Sequence, residues 1–119
     1  MSSGELRLGM LGMSEGNGHP YSWAAICNGY DPVAMASCPF PVIRGYLSQQ
    51  VFPGARIAGA RVTHVWAQDR SIAQHIAAAS LIPTVVDDYE SMIGNVDAIL
   101  LARDDAENHL AMSAPFLDA

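Results

Sequence analysis

Lysine is absent from this chain, and its six basic residues are all arginines: Arg7, Arg44, Arg56, Arg61, Arg70 and Arg103. Without lysine the chain itself forms no Schiff base, places no Walker-type lysine on a phosphate and offers no lysine general acid. Charge of any kind is scarce: 15% of residues are charged while 50% are apolar, against about 25% charged in an average globular chain. The net charge of −6 argues against a nucleic-acid backbone as the main partner, since phosphate binding needs a basic face. Cys27 and Cys38 show no close metal-ligand spacing, and the N-terminus carries no basic-then-apolar leader. A reduced, cytoplasmic setting is the expectation. The four histidines, His19, His64, His75 and His109, have no metal-site spacing. No apolar run approaches the roughly 20 residues of a bilayer span.

What remains is an apolar, weakly charged chain of 119 residues, read as one domain over 1–119 and long enough to bury a core. It carries more apolar surface than one small domain hides. That predicts either a homo-oligomer or an N-terminal part of something larger.

The organising stretch runs from Leu6 to Pro20. The apolar run Leu6–Gly12 reads as a buried strand and breaks into a loop with four glycines between Gly9 and Gly18. Pro20 then suits the first turn of a helix. Strand, glycine turn and helix make a nucleotide-binding βα unit, in which the backbone approaches a diphosphate and the helix N-terminus presents free N–H groups. Counted from Gly12, Ser14 and Asn17 occupy the second and third glycine positions of G-x-G-x-x-G. A plain tight turn is the competing reading.

Further along, Trp23, Ile26, Cys27 and Tyr30 make an apolar helix face that stops at Asn28-Gly29. Residues 31–59 read as an insertion holding a turn, a short helix with Val42, Ile43, Tyr46 and Leu47, and an irregular return through Phe52-Pro53-Gly54. Such an insertion borders a ligand site or is mere decoration. Arg61–Ala67 is the second strand. Asp69 caps the next helix, buried through Ile72, Ala73, Ile76, Ala77 and Ala78. Pro83–Val86 is a third strand, and Asp87–Glu90 a capping box opening a short helix with Met92 and Ile93. Val96–Ala102 is the central-looking fourth strand; Asp104–Glu107 is a second capping box, and Ala106, Leu110, Ala114 and Leu117 face inward from the last helix.

This βα(α)βαβαβα pattern predicts an α/β fold, a three-layer αβα Rossmann-like parallel sheet of order 3-2-1-4. Strand 4 is then an apolar edge that a fifth strand or a partner subunit must cover. The result looks like half of a doubly wound domain.

Several segments together carry a resemblance: Leu8-Gly9-Met10-Leu11-Gly12 with Gly18-His19, Ala73-x-x-x-Ala77, Asp88-Tyr89-Glu90-Ser91-Met92-Ile93, Val96-Asp97-Ala98-Ile99-Leu100, and His109. In that order the chain resembles the N-terminal dinucleotide-binding domain of the glucose–fructose oxidoreductase / inositol dehydrogenase (Gfo/Idh/MocA) family, over nearly its whole length apart from 31–59. The resemblance implies a Rossmann domain binding NAD or NADP, from an oxidoreductase that acts on a sugar or cyclitol alcohol by hydride transfer. By the same analogy the cofactor lies over Gly12, Met13 and Ser14 with Gly18 and His19, against Gln68, Asp69 and Arg70 after strand 2, and against Arg103 and Asp104 after strand 4. Three departures stand out. Ala67 occupies the position of the family's ribose-binding acid, with Asp69 two residues later, so Asp69 on a ribose 2′-OH and Arg70 on a 2′-phosphate are both open. Asp104, Asp105 and Ala106 replace a Thr-Pro-Asn. The family's Glu-Lys-Pro motif with its catalytic lysine, and the substrate domain, are not in this chain, which by itself is expected to be inactive.

Among single residues, His19 is either a cofactor contact or a cap before Pro20, and His109 a support of the strand-4 loop. His64 and His75 suit surface positions. Asp87 and Asp104 are most simply helix caps, and Trp23, Trp66 and Tyr46 core residues. Two other functional classes stay open: a non-catalytic Rossmann module assembling through the strand-4 edge, and a flavodoxin-like or response-regulator domain.

Overall fold

Leu8 and Met10 project to one side of the first strand while Gly9 and Leu11 project to the other, and both sides are buried. That two-sided burial makes this strand the centre of a parallel sheet. A computed structural model describes residues 5–12, 18–49, 57, 59–102 and 106–118. Its elements are β1 (Leu6–Leu11), α1 (His19–Asn28), α2 (Pro32–Met35), α3 (Pro41–Ser48), β2 (Ala60–Trp66), α4 (Arg70–Ala79), β3 (Thr84–Val85), a 3-10 turn (Tyr89–Met92), β4 (Ala98–Leu101) and α5 (Ala106–Leu117). The four strands are all parallel, in the order β3-β2-β1-β4. The fold is α/β and Rossmann-like, as the pattern of elements predicts.

The two layers differ in weight. Helices α1 and α4, with Met35, Cys38 and Leu47 of the 31–48 segment, cover one face through Leu8, Met10, Val62, Val65, Ala73 and Ile76. The other face holds a smaller cluster of Leu11, Met92 and Met112, edged by Trp66, Ile99, Leu101 and Phe116. Gly9 belongs there because a Cβ would come within 2.6 Å of the Met92 sulfur. In β2 strict alternation fails. Leu8 is level with Val62 and Gly9 with His64, so Thr63 is an extra, bulged residue. The bulge lets Val62 and Val65, three apart, face the same core.

Asn28 joins three segments. Its amide nitrogen donates to the carbonyls of Val62 (2.8 Å), Ser80 (3.2 Å) and Leu81 (3.2 Å), and its oxygen accepts from the Val62 N–H (2.9 Å). β3 pairs with β2 only at His64 and Val65, so the side-chain amide does for Val62 what a strand does further along. Ser80 adds a bond from its hydroxyl to the Tyr21 carbonyl (2.8 Å). Leu81 adopts the left-handed conformation (φ 57°) that closes α4, with the Ile82 N–H donating to the Ala77 carbonyl. At the start of the sheet, Arg7 grips Asp97. Its N–H and Nε donate to one carboxylate oxygen (2.8 and 3.2 Å) and its terminal nitrogen to the other (3.1 Å).

Several expectations are corrected. Trp23 is 38% exposed; of the expected α1 face Cys27 is buried, together with Tyr21, Ala24, Ala25 and Asn28. Tyr46 and Val42 are exposed on α3. α2 is a helical turn that the sequence reading lacked; Pro32 sits in its first turn and Asp31 caps it. In α4 the buried residue is Ala79 and Ala78 is exposed, since burial follows Ile76 by three residues. Asp88, not Asp87, caps the 3-10 turn by accepting from the Glu90 N–H (2.9 Å). Leu110 and Leu117 are 76% and 77% exposed, and α5 turns Met112 and Phe116 to the sheet. From Leu110 on, the only polar residue of this helix is Ser113, and the Met112–Phe116 stripe packs in the cluster of Leu11. Asp104 and Asp105 of the second capping box and Phe52-Pro53-Gly54 lie outside the described residues. Among the described residues no helix is long and apolar enough to cross a membrane.

Asn28→Ala is expected to lower unfolding stability by about 3 kcal/mol, since it strands buried main-chain groups. Asn28→Asp keeps the shape but sets a carboxylate against three carbonyls. Burial and those oxygens raise its folded-state pKa, so the variant should be least stable at neutral pH and recover as pH falls; urea melts across pH check this. Asp97 behaves oppositely. The hydrogen bonds from Arg7 hold its carboxyl below the ordinary aspartate range, so its contribution is present above that range and is lost as pH falls through the depressed value. Asp97→Asn should therefore be less stable than the parent at neutral pH and indistinguishable from it at the acid end of the same melts.

Candidate functional site

Chain order and sheet order part company between β1 and β4: the connections leave β1 towards β2 and β3, then return to β4 on its other side. In open parallel sheets the crevice outside the strand C-termini at such a reversal is where ligands bind. Leu11-Gly12 and Leu101-Ala102 end the two strands here. The Ala102 N–H donates to the Leu11 carbonyl (2.8 Å) and the Gly12 N–H to the Trp66 carbonyl (3.0 Å), so three strand ends are tied together.

Gly12 is hemmed in. A Cβ there would run into the ring of Pro20 and stand 3.4 Å from the Ala102 carbonyl oxygen. The chain therefore leaves β1 between the first turn of α1 and the end of β4, with no room for a side chain. Gly18 is the N-cap of α1, and no side chain caps the helix. A Cβ at Gly18 would lie 2.6 Å from Ile43 and 2.7 Å from the Phe40 ring, so the 31–48 segment is seated on the start of α1 and borders the crevice. His19 is the first residue of α1 and not its cap, because Gly18 takes that position; its ring stacks on Trp23 with centroids 4.7 Å apart and planes 22° apart.

Beyond β2, Gln68, Asp69 and Arg70 are exposed. Asp69 caps α4: one carboxylate oxygen accepts from the Ser71 N–H (2.9 Å) and hydroxyl (2.7 Å), and these bonds hold its pKa below the usual range. Arg70 forms an ion pair with Asp87, the charge partner of an aspartate that the sequence suggested as a cap. Met13, Ser14, Arg103 and Asp104 lie outside the described residues. The described site residues thus fall in two groups, Gly12 with Gly18 and His19 at the mouth of α1, and Gln68 to Arg70 at the end of β2.

Two features escaped the sequence reading. Trp66 meets Tyr89 edge-on (5.1 Å) and Tyr89 stacks on Phe116 (6.2 Å), a row of rings against the smaller core cluster; the Trp66 indole N–H also donates to the Asp87 carbonyl (3.2 Å). The position of Trp66 at the end of β2, in line with Leu11, was the available signal. His75, expected on the surface, is half-buried. It bridges the buried Tyr21 hydroxyl (2.6 Å from Nδ1) and the Ala34 carbonyl (3.1 Å from Nε2). A carbonyl only accepts, so Nε2 carries the proton and Nδ1 accepts from Tyr21. Burial pushes the Tyr21 hydroxyl pKa up to about 12. His64 is pushed down by burial and then by Arg7. Among the described residues no three His, Cys, Asp or Glu side chains group as a metal site.

Comparison of the chain with family models, with curated proteins and with solved structures finds no match.

Gly12→Ala should destabilise the protein by about 1–3 kcal/mol through overpacking against Pro20, read as a drop in Tm. Ser22→Ala, at a half-buried position in the first turn of α1, is the control and should leave unfolding stability within about 0.5 kcal/mol of the parent.

Proposed function

We propose that the chain is a dinucleotide-binding domain that takes NAD or NADP at the β1–β4 crevice, within a cytoplasmic oxidoreductase of the Gfo/Idh/MocA kind acting on a sugar or cyclitol alcohol. One observation carries this reading: Gly12, at the strand end beside the topological reversal, is packed so tightly against Pro20 and Ala102 that only bare backbone passes. A backbone stripped of side chains next to a helix N-terminus lacking a side-chain cap is the donor set a diphosphate requires. The residues present fit the group. The first turn of α1, which opens at Gly18 with no side-chain cap, would face the diphosphate, while Gly12 lets the chain pass between Pro20 and Ala102 to reach it. Asp69, a carboxylate at the end of β2, suits a ribose 2′-hydroxyl and repels a 2′-phosphate. Arg70, paired with Asp87, is the weaker candidate of the two, so the reading favours NAD. The nicotinamide supplies hydride acceptance when bound; this chain's part is to bind and orient it. With no lysine in these residues, none of them plays the part of the family's catalytic lysine.

The non-catalytic interaction module is the second reading, and the outer side of β4, unpaired among the described strands, favours it.

Calorimetric titration of the chain with NAD(H) and NADP(H) tests the first. Saturable binding is expected, tighter for NAD. Asp69→Asn keeps the helix cap and should weaken NAD binding about tenfold, the effect of a lost hydrogen bond to a charged group. A folded chain that binds neither cofactor at millimolar concentration overturns the reading.

A further inference from the structure

Asn17 and Asn28 are each followed by a glycine. In an Asn-Gly pair the next main-chain nitrogen attacks the side-chain amide most readily, because glycine places no Cβ in the way and leaves the backbone free to turn. Asn17 lies outside the described residues. Asn28 is the last residue of α1 and only 5% exposed, and the buried Gly29 after it turns at φ 83°.

The fold holds every participant in that reaction apart. The nucleophile is the Gly29 nitrogen, and its N–H is engaged by the Ala25 carbonyl (2.7 Å). The electrophile is Cγ of Asn28, and the carboxamide around it is gripped on both sides. Its oxygen accepts from the Val62 N–H, and its nitrogen donates to the carbonyls of Val62, Ser80 and Leu81. The leaving group is ammonia, which must gain a proton to depart. Carbonyls only accept, so the three around Nδ2 have no proton to give. Cγ turns towards Gly29 only when all of these bonds are released.

We propose that Asn28-Gly29 is a self-modification site gated by the fold, closed in the native chain and deamidating when the end of α1 opens, with a product that cannot rebuild the clamp. In the open chain the Gly29 nitrogen gives its proton to solvent and bonds to Cγ of Asn28. The Cγ–Nδ2 bond breaks, ammonia leaves with a proton from water, and a succinimide ring is left. Water then opens the ring at either of its carbonyls. One opening gives aspartate at this position; the other gives an isoaspartyl linkage, with the main chain running through Cγ. Each route takes up water and loses ammonia, with no change of oxidation state. The aspartyl product sets a carboxylate against the Val62, Ser80 and Leu81 carbonyls, and the isoaspartyl product also lengthens the main chain at the end of α1. An opening that lasts long enough for the ring to close is therefore made permanent. The inference is independent of any cofactor.

Peptide mapping by mass spectrometry, on the purified chain held at mildly alkaline pH in native buffer and in urea, tests it. In urea Asn17 and Asn28 should react at similar rates, so Asn17 is the internal measure of the chemistry. In native buffer Asn28 should react about a hundredfold or more slowly than in urea, in line with the small unfolded fraction of a stable domain. Ser80→Ala removes the hydroxyl bond to the Tyr21 carbonyl and leaves both reacting residues in place. It should speed the native-buffer reaction at Asn28 about fivefold or more and leave the urea rate unchanged; if this variant fails to fold, its native-buffer rate should equal the urea rate. Chain deamidated at Asn28 alone, isolated by ion exchange on its added negative charge, should melt below the unreacted chain at neutral pH. Three results overturn the proposal: equal rates at Asn28 in native buffer and in urea, a Ser80→Ala chain no faster than the parent, or deamidated chain that melts with the unreacted one.

Discussion

Val62 lies in a stretch of β2 that β3 does not reach, and its N–H and carbonyl are both taken by the carboxamide of Asn28. Buried main-chain groups left without partners cost far more than one hydrogen bond contributes, so this amide decides whether the short sheet tolerates its short third strand. The same nitrogen reaches the carbonyls of Ser80 and Leu81, which fixes the end of α4 against the end of α1. The two helices of the heavier layer are thereby set relative to β2 by one residue. The crevice inherits that rigidity, because α1 runs from Asn28 back to Gly18 at the candidate site.

The crevice is defined by exclusion. Gly12 allows the chain to leave β1 only because Pro20 and Ala102 leave no side-chain volume there. Phe40 and Ile43 close over Gly18 from the inserted segment, and His75, held in one tautomer between Tyr21 and Ala34, anchors that segment to α1 and α4. The insertion is thus part of the wall of the site. The binding chemistry on offer is main-chain N–H groups and one carboxylate, Asp69, with the neighbouring guanidinium of Arg70 already directed to Asp87.

The two faces of the sheet are unequal, and the inequality explains the scarcity of charge. One face is closed by α1 and α4. The other is closed only near Leu11, Met92 and Met112, and the apolar surface runs out along β4 to Ile99, Leu101, Phe116 and Leu117. Among the described strands an edge of this kind, with no charge between Asp97 and Arg103, lacks the usual charged protection against strand addition.

Much of the fold was legible in the sequence. Four strand-like runs separated by helical periods dictate a parallel sheet, and Asp69 read correctly as a helix cap, because periodicity and capping are local patterns; the order 3-2-1-4 followed from the handedness of the connections. The failures are of the other kind. The bulge at Thr63 answers to the register with β1. The choice between the Leu110–Leu117 and Met112–Phe116 stripes of α5 answers to the space above Leu11. Asp87 exchanged a cap for Arg70, and Trp23 exchanged the core for a stack on His19. For the site, the sequence marked the glycine stretch and the strand ends. Which glycines are pressed against neighbours, that Phe40 and Ile43 are the neighbours at Gly18, and that Asn28 and His75 hold the frame were decided by tertiary structure alone. Those facts depend on volumes and partners dozens of residues away, which no local pattern of polarity encodes.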